Sequence, residues 1–158
     1  GGGASTLTAN LSKAGWKDLT VFDISEAALG HARAAMGEDA DRVEWILADV
    51  THWSPQRRYD IWHDRAVFHF LTEADQRKAY RQALLRGLAE GGLLLIATFA
   101  PDGPEKCSGL PVRRYDADGL SQALGYGFRQ IEHWREVHVT PWGAEQAFTW
   151  AAYRKETT

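Results

Sequence analysis

The sequence has a single cysteine, Cys107, in 158 residues, so no disulfide can form within the chain. Cross-links therefore cannot substitute for a hydrophobic core. A lone thiol is compatible with a reducing compartment, and the cytoplasm is the expected location. No apolar run reaches the length of a membrane span, and no signal peptide is visible. The chain also lacks a strong charge of either sign, with a formal net charge of -3. That removes the electrostatic case for a nucleic-acid or anionic-membrane partner. No metal site is expected. What is present is a composition 44% hydrophobic and 25% charged, enough apolar residues for the core of one domain. The first residue is not Met; the chain opens on Gly1-Gly2-Gly3-Ala4-Ser5.

Strand and helix signals alternate along the chain. Residues 5–14 read as a helix, with Leu7, Leu11 and Ala14 on one face, Ser5 or Thr6 at its start and Gly15 at its end. Leu19-Thr20-Val21-Phe22 is a short β run closed by Asp23. Ser25 caps a helix over 26–36 that Gly37 stops. Residues 43–47 form the next strand, closed by Asp49, and 59–63 another, ending in His63-Asp64-Arg65. A long amphipathic helix over 73–88 is expected to end at Gly91-Gly92. Leu93-Leu94-Leu95-Ile96-Ala97 then reads as a strand buried on both faces. Beyond it lie a loop rich in turn formers over 100–114, a short helix over 116–124, and two strands, 128–140 and 145–154, around Pro141-Trp142-Gly143. Strands joined so tightly are antiparallel. The expected fold is α/β: a Rossmann-like, mainly parallel sheet with helices on both faces and an antiparallel hairpin at its end.

Ligands of such sheets bind at the carboxyl ends of the strands. Here the apolar strands hand over to Asp23, Asp49, His63-Asp64 and Thr98, which a parallel sheet would gather on one rim. Any one of these acids could be an ordinary helix cap; four polar strand ends together point to a site. Gly1 and Gly3 match the first two glycines of a G-x-G-x-G turn, with Ser5 at the third position. Glycine lets backbone turn sharply and approach a ligand closely. An acid 20 residues after Gly3 suits a pair of ribose hydroxyls.

The segments Gly1-Gly2-Gly3-Ala4-Ser5, Val21-Phe22-Asp23-Ile24-Ser25, Ala48-Asp49-Val50 and Glu90-Gly91-Gly92-Leu93 resemble, in this order, the motifs of class I methyltransferases that use S-adenosylmethionine (SAM). The resemblance covers nearly the whole chain. The stretch from Tyr59 through Asp64-Arg65-Ala66 to Leu71 is similar to a bacterial methyltransferase-domain group of undefined substrate, and more distantly to the Asp-Lys-Gly segment of certain protein-lysine methyltransferases. The resemblance implies roles for matching residues. Gly1, Gly2 and Gly3 would pass under the methionine and ribose parts of SAM. Asp23 would bind the ribose hydroxyls, Ile24 would pack on adenine, Asp49 would accept from the adenine amino group, and the Val50 backbone would complete that contact. His63 would sit near the methionine part or the methyl group. It further implies that residues 1–158 are one domain lacking the family's N-terminal helix and first strand, an acid-ended strand that precedes the glycines.

Methyl transfer from a sulfonium is an in-line displacement in which the protein chiefly positions the acceptor and excludes water. His63 and Asp64 are the candidate catalytic residues, His63 as a proton acceptor and Asp64 to orient an imidazole or meet a cation. Arg65, His69 and Arg113 are candidate contacts to the substrate, a small-molecule or protein methyl acceptor. His69 also reads as a histidine packed among Phe68, Phe70 and Leu71, and Arg65 as a partner of Asp64 or Glu73. Trp134, Trp142 and Trp150 read as sheet packing first and as an aromatic binding wall second. Two other functions remain open: a nicotinamide-dependent oxidoreductase, whose fingerprint wants glycine where Thr6 stands, and a non-catalytic SAM-binding scaffold.

Overall fold

The computed structural model describes residues 1–157. They form two compact units, Gly1–Trp53 and a second from Ser54 onward.

The first unit contains α1 (Leu7–Lys13), β1 (Leu19–Asp23), α2 (Glu26–Met36) and β2 (Val43–Leu47). α1 begins later than its periodicity suggests because Ser5 is spent on the entry turn, its Oγ accepting the Leu7 N–H at 3.1 Å. Ser25 caps α2 by accepting the Ala28 N–H, and Gly37, at φ +60°, ends it. β1 and β2 pair in parallel from Leu19–Val43 to Asp23–Leu47. Val21, Leu29 and Val43 make the unit's core, with Leu19, Met36 and Trp45 packed round it.

The second unit is built on a four-stranded sheet in the order β3-β4-β8-β7. Its elements are β3 (Tyr59–Arg65), α3 (Ala74–Gly87), β4 (Leu88–Phe99), a two-stranded ribbon of β5 (Lys106–Cys107) and β6 (Leu110–Pro111), α4 (Ala117–Leu124), β7 (Phe128–Val139) and β8 (Glu145–Lys155). β3 and β4 are parallel, while β8 runs antiparallel to both β4 and β7, as the alternation and the tight turn predict. The apolar run sits in β4, paired on both edges. The edge strand β7 carries Arg129, Glu132, His133, Arg135 and Glu136, charged and polar groups that discourage pairing with another sheet. Trp62, Asp64, Leu94, Ile96 and Tyr153 share one face by register. α3 covers that face through Tyr80, against Trp62 and Asp64, and α4 through Ser121, against Tyr153.

Two boundaries differ from expectation. β3 continues through Arg65, so His63 lies inside the strand and Arg65 ends it. Gly91-Gly92 does not stop α3: the helix ends at Gly87 and the chain passes directly into β4. The two glycines instead sit where the β3–β4 register slips, Tyr59 facing Leu88 but Ile61 facing Leu93. Gly91 has φ +72°, and a Cβ on Gly92 would lie 2.8 Å from the Ala89 carbonyl oxygen. A bulge of that shape requires glycine. The last carbonyls of α3 gain an unforeseen partner in Lys155, buried at the end of β8, whose Nζ donates to the Leu85 and Leu88 oxygens at 2.7 Å each. Helix ends leave such carbonyls without intrahelical donors.

Candidate functional site

In the first unit, the glycine turn and the end of β1 are locked together. The Gly2 N–H donates to the Phe22 carbonyl at 3.0 Å, and the Gly3 N–H donates to Asp23 Oδ2 at 3.0 Å. Asp23 Oδ1 accepts the Ser25 N–H at 2.8 Å. Burial raises the Asp23 pKa, but the Ser25 and Gly3 N–H donors lower it, and the carboxyl is held below its ordinary value. A carboxylate has about four acceptor positions, so Asp23 retains capacity for a hydroxyl. Gly3 is required by packing: a Cβ there would lie 2.6 Å from the Ala28 carbonyl carbon in the first turn of α2.

Beside Asp23, Ile24 is 68% exposed, an apolar side chain with nothing packed over most of it. Asp49 follows β2, the parallel neighbour of β1. Its Oδ1 accepts the Thr51 N–H and hydroxyl at 2.8 and 2.7 Å, and its Oδ2 lies 3.4 Å from His52 Nδ1. The Thr51 hydroxyl, against a smaller burial penalty and with help from the Thr51 N–H and His52, keeps Asp49 ionised by lowering its pKa. The Val50 side chain is buried. This unit thus gathers Gly1, Gly2, Gly3, Asp23, Ile24, Asp49 and Val50 around the ends of β1 and β2. Two carboxylates, a glycine turn without room for a Cβ and an exposed isoleucine fit a nucleoside with ribose hydroxyls, an amino-bearing base and an apolar ring face.

In the second unit, strand alternation divides the motif His63-Asp64-Arg65. His63 and Arg65 share a face with Trp150: the His63 ring is 5.6 Å from the Trp150 ring, and the Arg65 guanidinium lies 4.5 Å from the centre of Phe148. Arg65 meets Glu136 at 3.8 Å, in place of the expected Asp64 or Glu73. Burial of the ring and then the Arg65 charge lower the His63 pKa, leaving a neutral imidazole at pH 7. Asp64 points the other way. It is 4% exposed, takes the Tyr80 hydroxyl at 2.6 Å and the Val67 N–H at 3.0 Å, and is an anchor between β3 and α3. Burial raises its pKa despite those donors. Adjacent residues of a strand face opposite sides, so Asp64 lies on the side of β3 that α3 covers, away from His63.

His69 is fully buried in a 3₁₀ turn, Phe68–Phe70, and its Nδ1 accepts the Phe99 N–H at 3.1 Å, the packed position that was the alternative to a substrate contact. Arg113 is exposed, with its guanidinium 5.6 Å from the centre of the Tyr115 ring. Cys107 packs against the Ala97, Phe99 and Phe148 cluster, and burial pushes its thiol pKa up, which argues against a reactive thiolate. Sequence reasoning missed two residues. Glu136 takes the Trp150 indole N–H and so fixes the stacked Trp134–Trp150 pair, whose rings are 5.6 Å apart and 4° from parallel. Tyr115 is buried at the end of the loop that follows β4. The alternation of β7 and β8 carried the signal for Glu136; nothing comparable marked Tyr115.

These features belong to an α/β fold with polar residues at its strand ends, and a family match makes it specific. A model of the methyltransferase domain matches residues 1–92, more than half of the chain, and the chain belongs to that family. It is 29% identical over 80 residues to Nodulation protein S of Rhizobium tropici, a match spanning 51% of this chain and 33% of that protein. Among solved structures, the N-methyltransferase NodS of Bradyrhizobium japonicum, in complex with S-adenosyl-L-homocysteine, superposes with a TM-score of 0.78 at 18% identity, covering 99% of this chain and 76% of that one. A 1,6-didemethyltoxoflavin-N1-methyltransferase of Burkholderia thailandensis gives a TM-score of 0.75 at 21% identity, covering 99% and 69%. At these identities the structural likeness establishes the fold.

Proposed function

We propose that this chain transfers a methyl group from SAM to a small-molecule or protein acceptor. The observation that carries this reading is Asp23. It is a buried carboxylate fixed beneath a glycine turn, next to an exposed Ile24, with Asp49 at the end of the neighbouring parallel strand. In this reading Asp23 accepts from the ribose hydroxyls and Ile24 packs on adenine. Asp49 accepts the adenine amino group with the Val50 backbone beside it, and Gly1 to Gly3 bring bare backbone close to the amino-acid part. When bound, the cofactor supplies an electrophilic methyl with its leaving group built in. What remains for the protein is to place the acceptor in line, keep water away and take up any proton the acceptor loses. His63, neutral at pH 7 beside Trp150, has the chemistry for the last task.

Family membership supports this reading over a nicotinamide oxidoreductase. No helix among the described residues is long and apolar enough to cross a membrane, and a cytoplasmic site of action is part of the proposal. Titration with SAM and with S-adenosylhomocysteine tests the function. Saturable binding of both, with no binding of NADH, is expected. Absent SAM binding by the folded protein sinks the proposal, and SAM binding without methyl release to any acceptor would leave a scaffold.

A further inference from the structure

The loop after β4 and the start of α4 enclose a cleft of about 390 Å³ lined by Arg77, Arg113, Arg114, Tyr115, Asp116 and Gln122, among others. Backbone bonds fix its place. The Tyr115 N–H donates to the carbonyl of Phe99, the last residue of β4, and the Arg113 N–H donates to the His69 carbonyl just beyond β3. The cleft therefore sits at the carboxyl ends of two parallel strands, where open α/β sheets bind ligands.

Its chemistry is one-sided. Three guanidinium groups and one carboxylate line it, and Oδ1 of that carboxylate, Asp116, is engaged by the Gly119 N–H at 2.7 Å. Arg77 Nη1 donates to the Leu71 and Thr72 carbonyls, and Arg114 Nη1 to the Gly103 carbonyl, so both side chains are held in place with other N–H groups to spare. Arg114 also approaches Glu105, loosely, at 3.6 Å. Arg113 lies against the Tyr115 ring. Tyr115 is only 4% exposed, yet its hydroxyl has no hydrogen-bond partner among the described residues. A buried O–H without a protein acceptor, near guanidinium groups, is able to donate to an oxyanion.

We propose that this cleft binds a carboxylate or phosphate group of the methyl acceptor, with Arg113 and Tyr115 as its principal contacts, so that the acceptor is an anionic small molecule. This rests on the methyltransferase reading for its link to the acceptor, but not for the anion site itself.

NMR titration of the ¹⁵N-labelled chain with inorganic phosphate and with succinate, at ionic strength held constant by sodium chloride, tests it. The amides of residues 113–119 should shift saturably with at least one probe. Preference for phosphate assigns a phosphorylated acceptor, and preference for succinate a carboxylate; either supports the site. Arg113→Gln and Tyr115→Phe should each weaken binding by about tenfold or more, the scale of a lost charge-assisted hydrogen bond. Tyr115→Phe keeps the ring and hence the fold, which the unperturbed spectrum elsewhere verifies. No saturable shift with either probe, or equal affinity in wild type and both variants, overturns the proposal. A parallel titration with S-adenosylhomocysteine, read at Gly2 and Asp23, reports on the cofactor separately. Anion binding without it would overturn the methyltransferase reading and leave the anion site standing.

Discussion

Acidification from pH 7 to pH 5 should destabilise this protein through His69. Its ring is fully buried against Phe70 and Phe99, each 4.7 Å away, and burial lowers its pKa from 6.5 to about 4. Protonation would also put a hydrogen on Nδ1, the atom that accepts the Phe99 N–H. Because the folded pKa lies below the unfolded one, the unfolded chain takes up the proton first. The stability is fully present above pH 6.5 and is lost as pH falls toward 4. At 1.36 kcal/mol per pKa unit the full loss is about 3 kcal/mol, of which about 2 kcal/mol falls between pH 7 and pH 5. Urea unfolding at the two pH values measures it. The comparison is His69→Asn, whose amide oxygen can replace Nδ1 as an acceptor but does not titrate. His63, also lowered, contributes equally to both proteins, so the difference between them isolates His69. If wild type and His69→Asn lose the same stability within about 0.5 kcal/mol, the account of His69 as a neutral core acceptor is wrong.

Three further outcomes are expected. Asp23→Ala should weaken SAM binding by about 1–3 kcal/mol, the cost of leaving buried partners unpaired; calorimetry on a variant with wild-type circular dichroism decides, and unchanged affinity would remove Asp23 from the site. Tyr80→Phe takes the hydroxyl from Asp64 Oδ2 and should cost about 1–3 kcal/mol in chemical denaturation with SAM affinity intact; undiminished stability would contradict the role of Asp64 as an anchor. Gly3→Ala forces a Cβ onto the Ala28 backbone and should lower the melting temperature through about 1–3 kcal/mol of overpacking, whereas a melting temperature equal to wild type would mean that the turn and α2 separate freely.

The parts of this fold that were legible in the sequence are those governed by short-range rules. Ser25 and Gly37 bracket α2, and the Pro141-Trp142-Gly143 turn joins β7 to β8, because capping and turn chemistry act within a few residues. The pairing of Asp23 with the glycine turn was legible for a related reason: a glycine turn and an acid at a set distance are a recognisable spacing pattern. Gly91-Gly92 misled because glycine serves helix ends and strand bulges alike, and only the partner strand β3 decides between them. For Asp64 and His69 the sequence shows that a polar residue ends a strand or lies in a turn, but not which side it faces. Tyr80 and the Phe99 N–H, 16 and 30 residues away, settle that. Lys155 was silent for the same reason, since its acceptors lie 70 and 67 residues back along the chain.

The central place of β4 has a consequence for synthesis. β4 is finished at Phe99, but its antiparallel neighbour β8 ends only at Lys155, and that lysine also seals the carbonyls at the end of α3. At roughly 5–20 residues per second, an apolar strand emerges from the ribosome several seconds before the segment that covers its second edge. In that interval Leu93 to Ala97 offers unpaired backbone to any passing sheet. The newborn chain is therefore most exposed to aggregation, and most in need of a chaperone, while its last third is still being made.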